Sequence, residues 1–168
     1  MGVVSDSLNP AAEPAVAVGL IQPGYVIWHI KWRWVAEKQQ YWALYAAYPI
    51  TSYGCASDDL FFATSADGKN WKTFPVPMLS RLDARFNFQT LYRATFLYDA
   101  SGDKLQVIAS ALENKSGWGE FAVTSNYSRL VAALNLSLGV PSSALQAVHH
   151  ISLRLDEKKG KPFLEKWP

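Results

Sequence analysis

"LFFATSADGKNW", residues 60–71, decides how the rest of the chain is read. A run of apolar strand formers ends in Ser65-Ala66-Asp67-Gly68, and the apolar pattern resumes at once with Trp71. Asp-Gly between two β-prone runs is a strong hairpin signal, because both residues tolerate the positive φ that tight hairpin turns need. The stretch is expected to form two adjacent antiparallel strands, 59–65 and 70–74, turning at Asp67-Gly68 and closed by Pro75 and Pro77. Trp71 would cover the end of the hairpin by packing.

Upstream, residues 25–35 (YVIWHIKWRWV) place Ile30, Trp32 and Trp34 on one face and His29, Lys31 and Arg33 on the other, the period-two alternation of a half-buried strand. Ala36-Glu37-Lys38-Gln39 is a polar turn, and 40–48 (QYWALYAAY) is a second strand. With the hairpin these make one four-stranded antiparallel meander. The pattern then begins again: strand 91–98, turn 99–103, strand 104–112, strand 119–125. Ala63-Thr64-Ser65 is echoed by Val123-Thr124-Ser125, and Trp28-His29 by Tyr92-Arg93, each about 60 residues later. Two similar meanders in tandem suggest blades of a β-propeller, where radial repetition leaves short, protected sheet edges.

After Ser125 the repeat stops, and no second Asp-Gly-x-x-Trp supplies a fourth strand. Residues 127–138 carry Leu130, Val131, Leu134 and Leu138 at helical spacing, with Gly139 and Pro141 as a stop. Residues 148–155 (VHHISLRL) fit a last strand. The expected organisation is a flexible lead-in at 1–23, two propeller-type blades at 24–125, and a helix with a C-terminal strand or tail at 126–168. The fold class is mainly all-β, antiparallel four-stranded meanders packed as blades, with a short C-terminal helix.

Composition narrows the function. The 168 residues suit one domain, with 14% aromatics, seven of them Trp. Sixteen Lys and Arg nearly balance 14 Asp and Glu, which leaves no basic footprint for nucleic acid. A single cysteine, Cys55, excludes an internal disulfide framework. No apolar run reaches the roughly 18 residues of a membrane helix. Residues 1–19 lack the charged start and compact apolar core of a secretory signal, so the cytoplasm is the default location, with secretion if the chain is a fragment. No Cys/His spacing suits a metal and no Gly-rich phosphate loop is present, so no cofactor is expected.

"WHI" at 28–30, "LFFATSADGKNW" and "LYRATF" at 91–96, in that order and spacing, resemble the five-bladed β-propeller glycoside hydrolases of the arabinanase, xylosidase and invertase group. The likeness covers about 24–125, roughly two blades. It implies a saccharide ligand at the axis, faced by the first strand of each blade, and a catalytic set of carboxylates spread over successive blades. It also implies an acidic residue after Trp-His-x, where this chain has Lys31.

Neither first strand offers a carboxylate for that set, and cleavage of a glycosidic bond needs two carboxyl groups flanking it. Glu113 and Glu120, either side of the Trp118 loop, are the catalytic candidates. Asp58 and Asp59 are read as solvated loop acids. The rest suits binding: Trp28 or Trp118 stacking on a pyranose, His29 and Tyr92 on the axis-facing strands, and Lys31 and Arg93 pairing with a carboxylate such as that of a uronic acid. Three readings stay open: a glycoside hydrolase, a non-catalytic carbohydrate-binding module, and an oligomeric β scaffold. Two meanders alone would expose large apolar faces, so further blades, a second copy, or the residues after Ser125 are expected to cover them.

Overall fold

A computed structural model describes residues 3–4, 15–52, 54–83, 85–86, 88–113 and 117–140. The short strands β1 (Val3–Val4) and β2 (Ala15–Val16) pair as a ribbon ahead of the main fold. β3 (Tyr25–Val35), β4 (Gln40–Pro49), β5 (Asp59–Ser65) and β6 (Lys72–Thr73) then form one antiparallel sheet in that order. β7 (Phe88–Asp99), β8 (Lys104–Glu113) and β9 (Gly117–Asn126) form a second, and helix α1 (Tyr127–Leu136) follows.

The two sheets face each other across one core. Trp42, Leu44 and Ala46 of β4 and Leu60 and Phe62 of β5 meet Phe96, Leu105, Val107, Ala109 and Phe121 of the second sheet. Alternation sends the intervening Ala43, Tyr45, Phe61 and Ala63 to the other face of the first sheet, where they pack with Ala17, Leu20 and Trp71. Strand β4 is thus buried on both sides from Trp42 to Ala47, which explains its unbroken apolar run. The helix presents Tyr127, Leu130 and Leu134 to the core between the sheets. Tyr127 stacks on Trp42 with ring centroids 4.1 Å apart.

Several expectations change. The β5–β6 connection is not a two-residue turn. Only Gly68 takes a positive φ, 72°, and the ladder resumes at Thr64 opposite Lys72. The Asp67 carboxylate organises the loop between them, accepting from the Lys69 and Asn70 amides at 2.8 and 2.7 Å. Trp71 is buried as expected and donates Nε1–H to the Gly68 carbonyl at 3.0 Å, but its backbone bonds to Val18 rather than to a strand. Residues 17–22, read as part of a flexible lead-in, lie on the first sheet, with Gln22 buried and accepting from the Tyr45 hydroxyl at 3.0 Å.

The apolar face of β3 is the other main difference. Ile30, Trp32 and Trp34 are the exposed side, because their cross-strand partners Tyr45, Ala43 and Tyr41 belong to the face turned away from the second sheet. The second meander has three strands among the described residues, so the four-stranded expectation holds only for the first. The helix fills the seam between the sheets, and on the far face of the first sheet residues 17–22 and Trp71 cover β4 and β5 while Ile30, Trp32 and Trp34 of β3 stay exposed. The strand expected at 148–155 and the C-terminal tail lie outside the described residues.

Candidate functional site

Both first strands break register at the same point of the repeat. The β3–β4 ladder slips between Trp28 and Ile30, setting His29 apart at φ 42°. The β7–β8 ladder slips between Leu91 and Ala94, setting Tyr92 and Arg93 apart. Such bulges re-aim side chains, and a left-handed conformation at a residue with a Cβ costs roughly 1 kcal/mol or more that the surrounding structure must offset.

The bulged residues meet. His29 Nε2 and the Tyr92 hydroxyl share a hydrogen bond of 2.7 Å, with the rings edge to face at 4.5 Å. Trp28 sits edge-on to His29 at 4.9 Å, and Trp118 of β9 edge-on to Tyr92 at 5.5 Å. The Arg93 guanidinium lies over the Tyr92 ring, 5.7 Å from its centroid. The result is a row of four rings drawn from both sheets. Its centre is half-buried, while Trp28 is 43% and Trp118 56% exposed at the ends. Burial, together with the Arg93 charge, holds the His29 pKa below its ordinary value, so the imidazole is neutral at neutral pH.

A second contact extends the row into a seam. Four residues beyond His29, the Arg33 guanidinium lies 4.8 Å from the centre of the Phe96 ring, which is four residues beyond Tyr92. Strands β3 and β7 therefore run side by side in one direction. Lys31, between His29 and Arg33, pairs across β3–β4 with Leu44, whose side chain faces the second sheet, and it is exposed.

Of the residues singled out from the sequence, Trp28, His29, Tyr92, Arg93 and Trp118 come together, and Lys31 lies on the same seam. Glu113 and Glu120 do not form a pair. Glu113 ends β8 in the row of Leu105, Val107, Ala109 and Ala111, which faces the first sheet. Glu120 pairs with Ser110, on the opposite face, and is exposed. Carboxylates on opposite faces of one sheet are not arranged to flank a single glycosidic bond.

Asp58 and Asp59 are buried, contrary to the reading as solvated loop acids. Asp59 Oδ1 accepts from Ser80 Oγ at 3.0 Å and from the Arg81 amide at 2.7 Å. The Asp58 backbone is bound to β7 just ahead of Tyr92: its N–H donates to Thr90 Oγ1 at 2.9 Å, and its carbonyl accepts from the Leu91 N–H at 3.1 Å. Its carboxylate oxygens have no hydrogen-bond partner, and burial, then the neighbouring Asp59 charge, pushes its pKa up to about 6. Nothing local signals this, since the burial comes from a strand some 30 residues away. Among the described residues no three His, Cys, Asp or Glu side chains converge as a metal site.

No protein-family model and no curated protein sequence matches the chain. Solved structures do. An N-acetylgalactosamine deacetylase from F. plautii, crystallised with blood group B trisaccharide, is similar with a TM-score of 0.62 and 17% identity over 78% of this chain and 42% of its own. A family 117 glycoside hydrolase of the marine bacterium Zobellia galactanivorans is similar with a TM-score of 0.51 and 14% identity over 66% of this chain and 39% of its own. The likeness is one of fold: the sheets described above share their arrangement with part of each of these two proteins. It spans about two-fifths of the length of each of these proteins.

Proposed function

We propose that the chain is part of a carbohydrate-active, glycoside-hydrolase-like protein and holds a saccharide on the ring row Trp28–His29–Tyr92–Trp118. The observation that carries this reading is the His29–Tyr92 contact, which joins two bulged first strands and leaves a Trp open at each end. Exposed aromatic faces beside a neutral imidazole and a phenol hydroxyl suit the mixed apolar and hydroxyl-rich surface of a sugar ring. The sugar-related chemistry of the two similar proteins supports the same ligand class.

Binding is favoured over hydrolysis within these two sheets. Strand β3 contains no acid and β7 only Asp99 at its far end. If the protein hydrolyses its ligand, the missing carboxylates come from further sheets or from a second copy, and the ring row serves as a subsite. The test is a glycan array followed by titration of the best ligand. Trp118→Ala and Tyr92→Ala should each weaken binding about tenfold or more, the loss of roughly 1.4 kcal/mol. Unchanged binding in both variants would remove this site. Reducing-sugar release from arabinan, xylan and uronate-bearing glycans decides between enzyme and binding module.

A further inference from the structure

We infer that the ligand of this seam is anionic: a saccharide carrying a carboxylate or sulfate group, with a sugar ring on Trp28 or Trp118 and the anionic oxygens on Lys31, Arg33 and Arg93. This deepens the saccharide reading and rests on it.

Charge balance along the seam is the basis. Three cations line the adjoining strands β3 and β7, and none has an ion-pair partner among the described residues, whose salt bridges are Lys38–Asp103 and Arg85–Asp83. Lys31 and Arg93 are exposed, and the Arg93 guanidinium lies over Tyr92 at the middle of the ring row. Arg33 packs on Phe96 with its Nε buried and without an acceptor. A donor shut away in this manner is costly unless an acceptor is supplied, and a charged one more so.

The acids on the neighbouring strands do not answer this charge. Asp99, at the far end of β7, accepts from the Ser101 amide and hydroxyl at 3.0 and 2.6 Å. Glu120, two residues along β9 from Trp118, forms no salt bridge with Arg93 or Lys31. Guanidinium groups match the planar, two-oxygen edge of a carboxylate or sulfate and are less strongly hydrated than an ammonium, so they hold such a ligand at a half-exposed surface. A neutral sugar would leave all three cations without a counter-charge in the complex.

The test uses matched pairs of ligands on the 168-residue chain. Calorimetric titration compares a galacturonan oligosaccharide with its methyl ester, and a sulfated galactan oligosaccharide with its desulfated form. The expected result is about tenfold tighter binding of the acidic member of one pair. That preference should shrink as salt is added. Arg93→Gln and Lys31→Gln should each lower the acidic affinity about tenfold and so narrow the preference for the acidic partner. Both side chains are exposed, so far-ultraviolet circular dichroism should be unchanged. A positive galacturonan pair assigns a carboxylate and a positive sulfated pair a sulfate.

Equal binding of acidic and neutral members, unaffected by either Gln variant, overturns the anionic assignment and leaves the saccharide reading intact. Acidic preference that neither Gln variant alters also overturns it, because the charge is then read elsewhere. Binding to no glycan, acidic or neutral, overturns both.

Discussion

Asp58 has no exposed surface, and neither of its carboxylate oxygens meets a hydrogen-bond donor. Its pKa is raised from 3.8 to about 6, first by burial and then by Asp59, with Arg81 acting in the opposite direction. The sign of the linkage follows. The folded protein keeps a proton that the unfolded chain gives up near pH 4, so stability falls as pH rises from about 4 to about 6, and the full cost is present above that window. A shift of about two units corresponds to roughly 3 kcal/mol. Asp58→Asn keeps the shape and removes the charge. It should be more stable than the parent by up to about 3 kcal/mol at pH 7 to 8, with the two converging near pH 4. Urea denaturation at a series of pH values measures this, and a stability difference independent of pH would show that the Asp58 carboxyl is not the titrating group. His29 is displaced the other way, since its depressed pKa makes protonation below the ordinary range of histidine unfavourable to the folded state.

Helix α1 shows how one turn residue can hold an element in place. Asp103, in the β7–β8 turn at φ 48°, accepts from the Tyr127 amide through its carbonyl at 2.7 Å and from the Ser128 amide through Oδ2 at 2.9 Å. Its Oδ1 accepts from the Tyr98 hydroxyl at 2.8 Å and lies 3.1 Å from Lys38 Nζ in the β3–β4 turn. Burial works against the ionised form, but the bonds from Ser128, Tyr98 and Lys38 outweigh it and hold the carboxyl well below the usual carboxylate range. Asp103→Ala removes a helix N-terminal acceptor and one of the ties between the two sheets. It should cost about 1–2 kcal/mol at neutral pH. The gap should narrow as pH falls below about 4, where the native carboxylate begins to lose its advantage over the unfolded one. Thermal unfolding of both proteins across that range is the measurement. The sequence marked Asp103 only as part of a turn, because its partners come from three separate elements. The strands were legible for the converse reason: alternation and turn residues are local, so the bounds of β3 and β5 and the first residue of α1 agree with the structure. The echo of Trp28-His29 in Tyr92-Arg93 likewise marked two segments that the fold brings together, since both pairs fall on bulges that touch. Which face of β3 is covered was not legible. Alternation separates two faces without saying which one another sheet will meet, and Trp32 and Trp34 took the open one.

Those open rings bear on the whole molecule. Trp32 is 41% and Trp34 42% exposed, side by side with Ile30 on the far face of the first sheet, and both lie edge-on to Tyr41. The second sheet ends at β9, to which no further described strand pairs, whereas β6 closes the corresponding edge of the first. A fold of this type in a longer chain has further structure to set against such surfaces, and the matched part is only about two-fifths of each similar protein. The 168-residue chain by itself should therefore seek a substitute. Covering what the two Trp rings still expose, roughly 100 Å² each, yields on the order of 5 kcal/mol. That is comparable to the lower estimates for the entropy lost on association, so the contact should be weak and concentration-dependent rather than a tight dimer. Sedimentation velocity should show the weight-average mass rising with protein concentration, and a Trp32→Lys, Trp34→Lys double variant should remain monomeric over the same range. Neither ring is part of the buried core between the sheets, so the variant should keep its far-ultraviolet spectrum and its glycan affinity. A parent chain that sediments as a monomer at every concentration would mean that this face tolerates water and needs no further sheet to cover it.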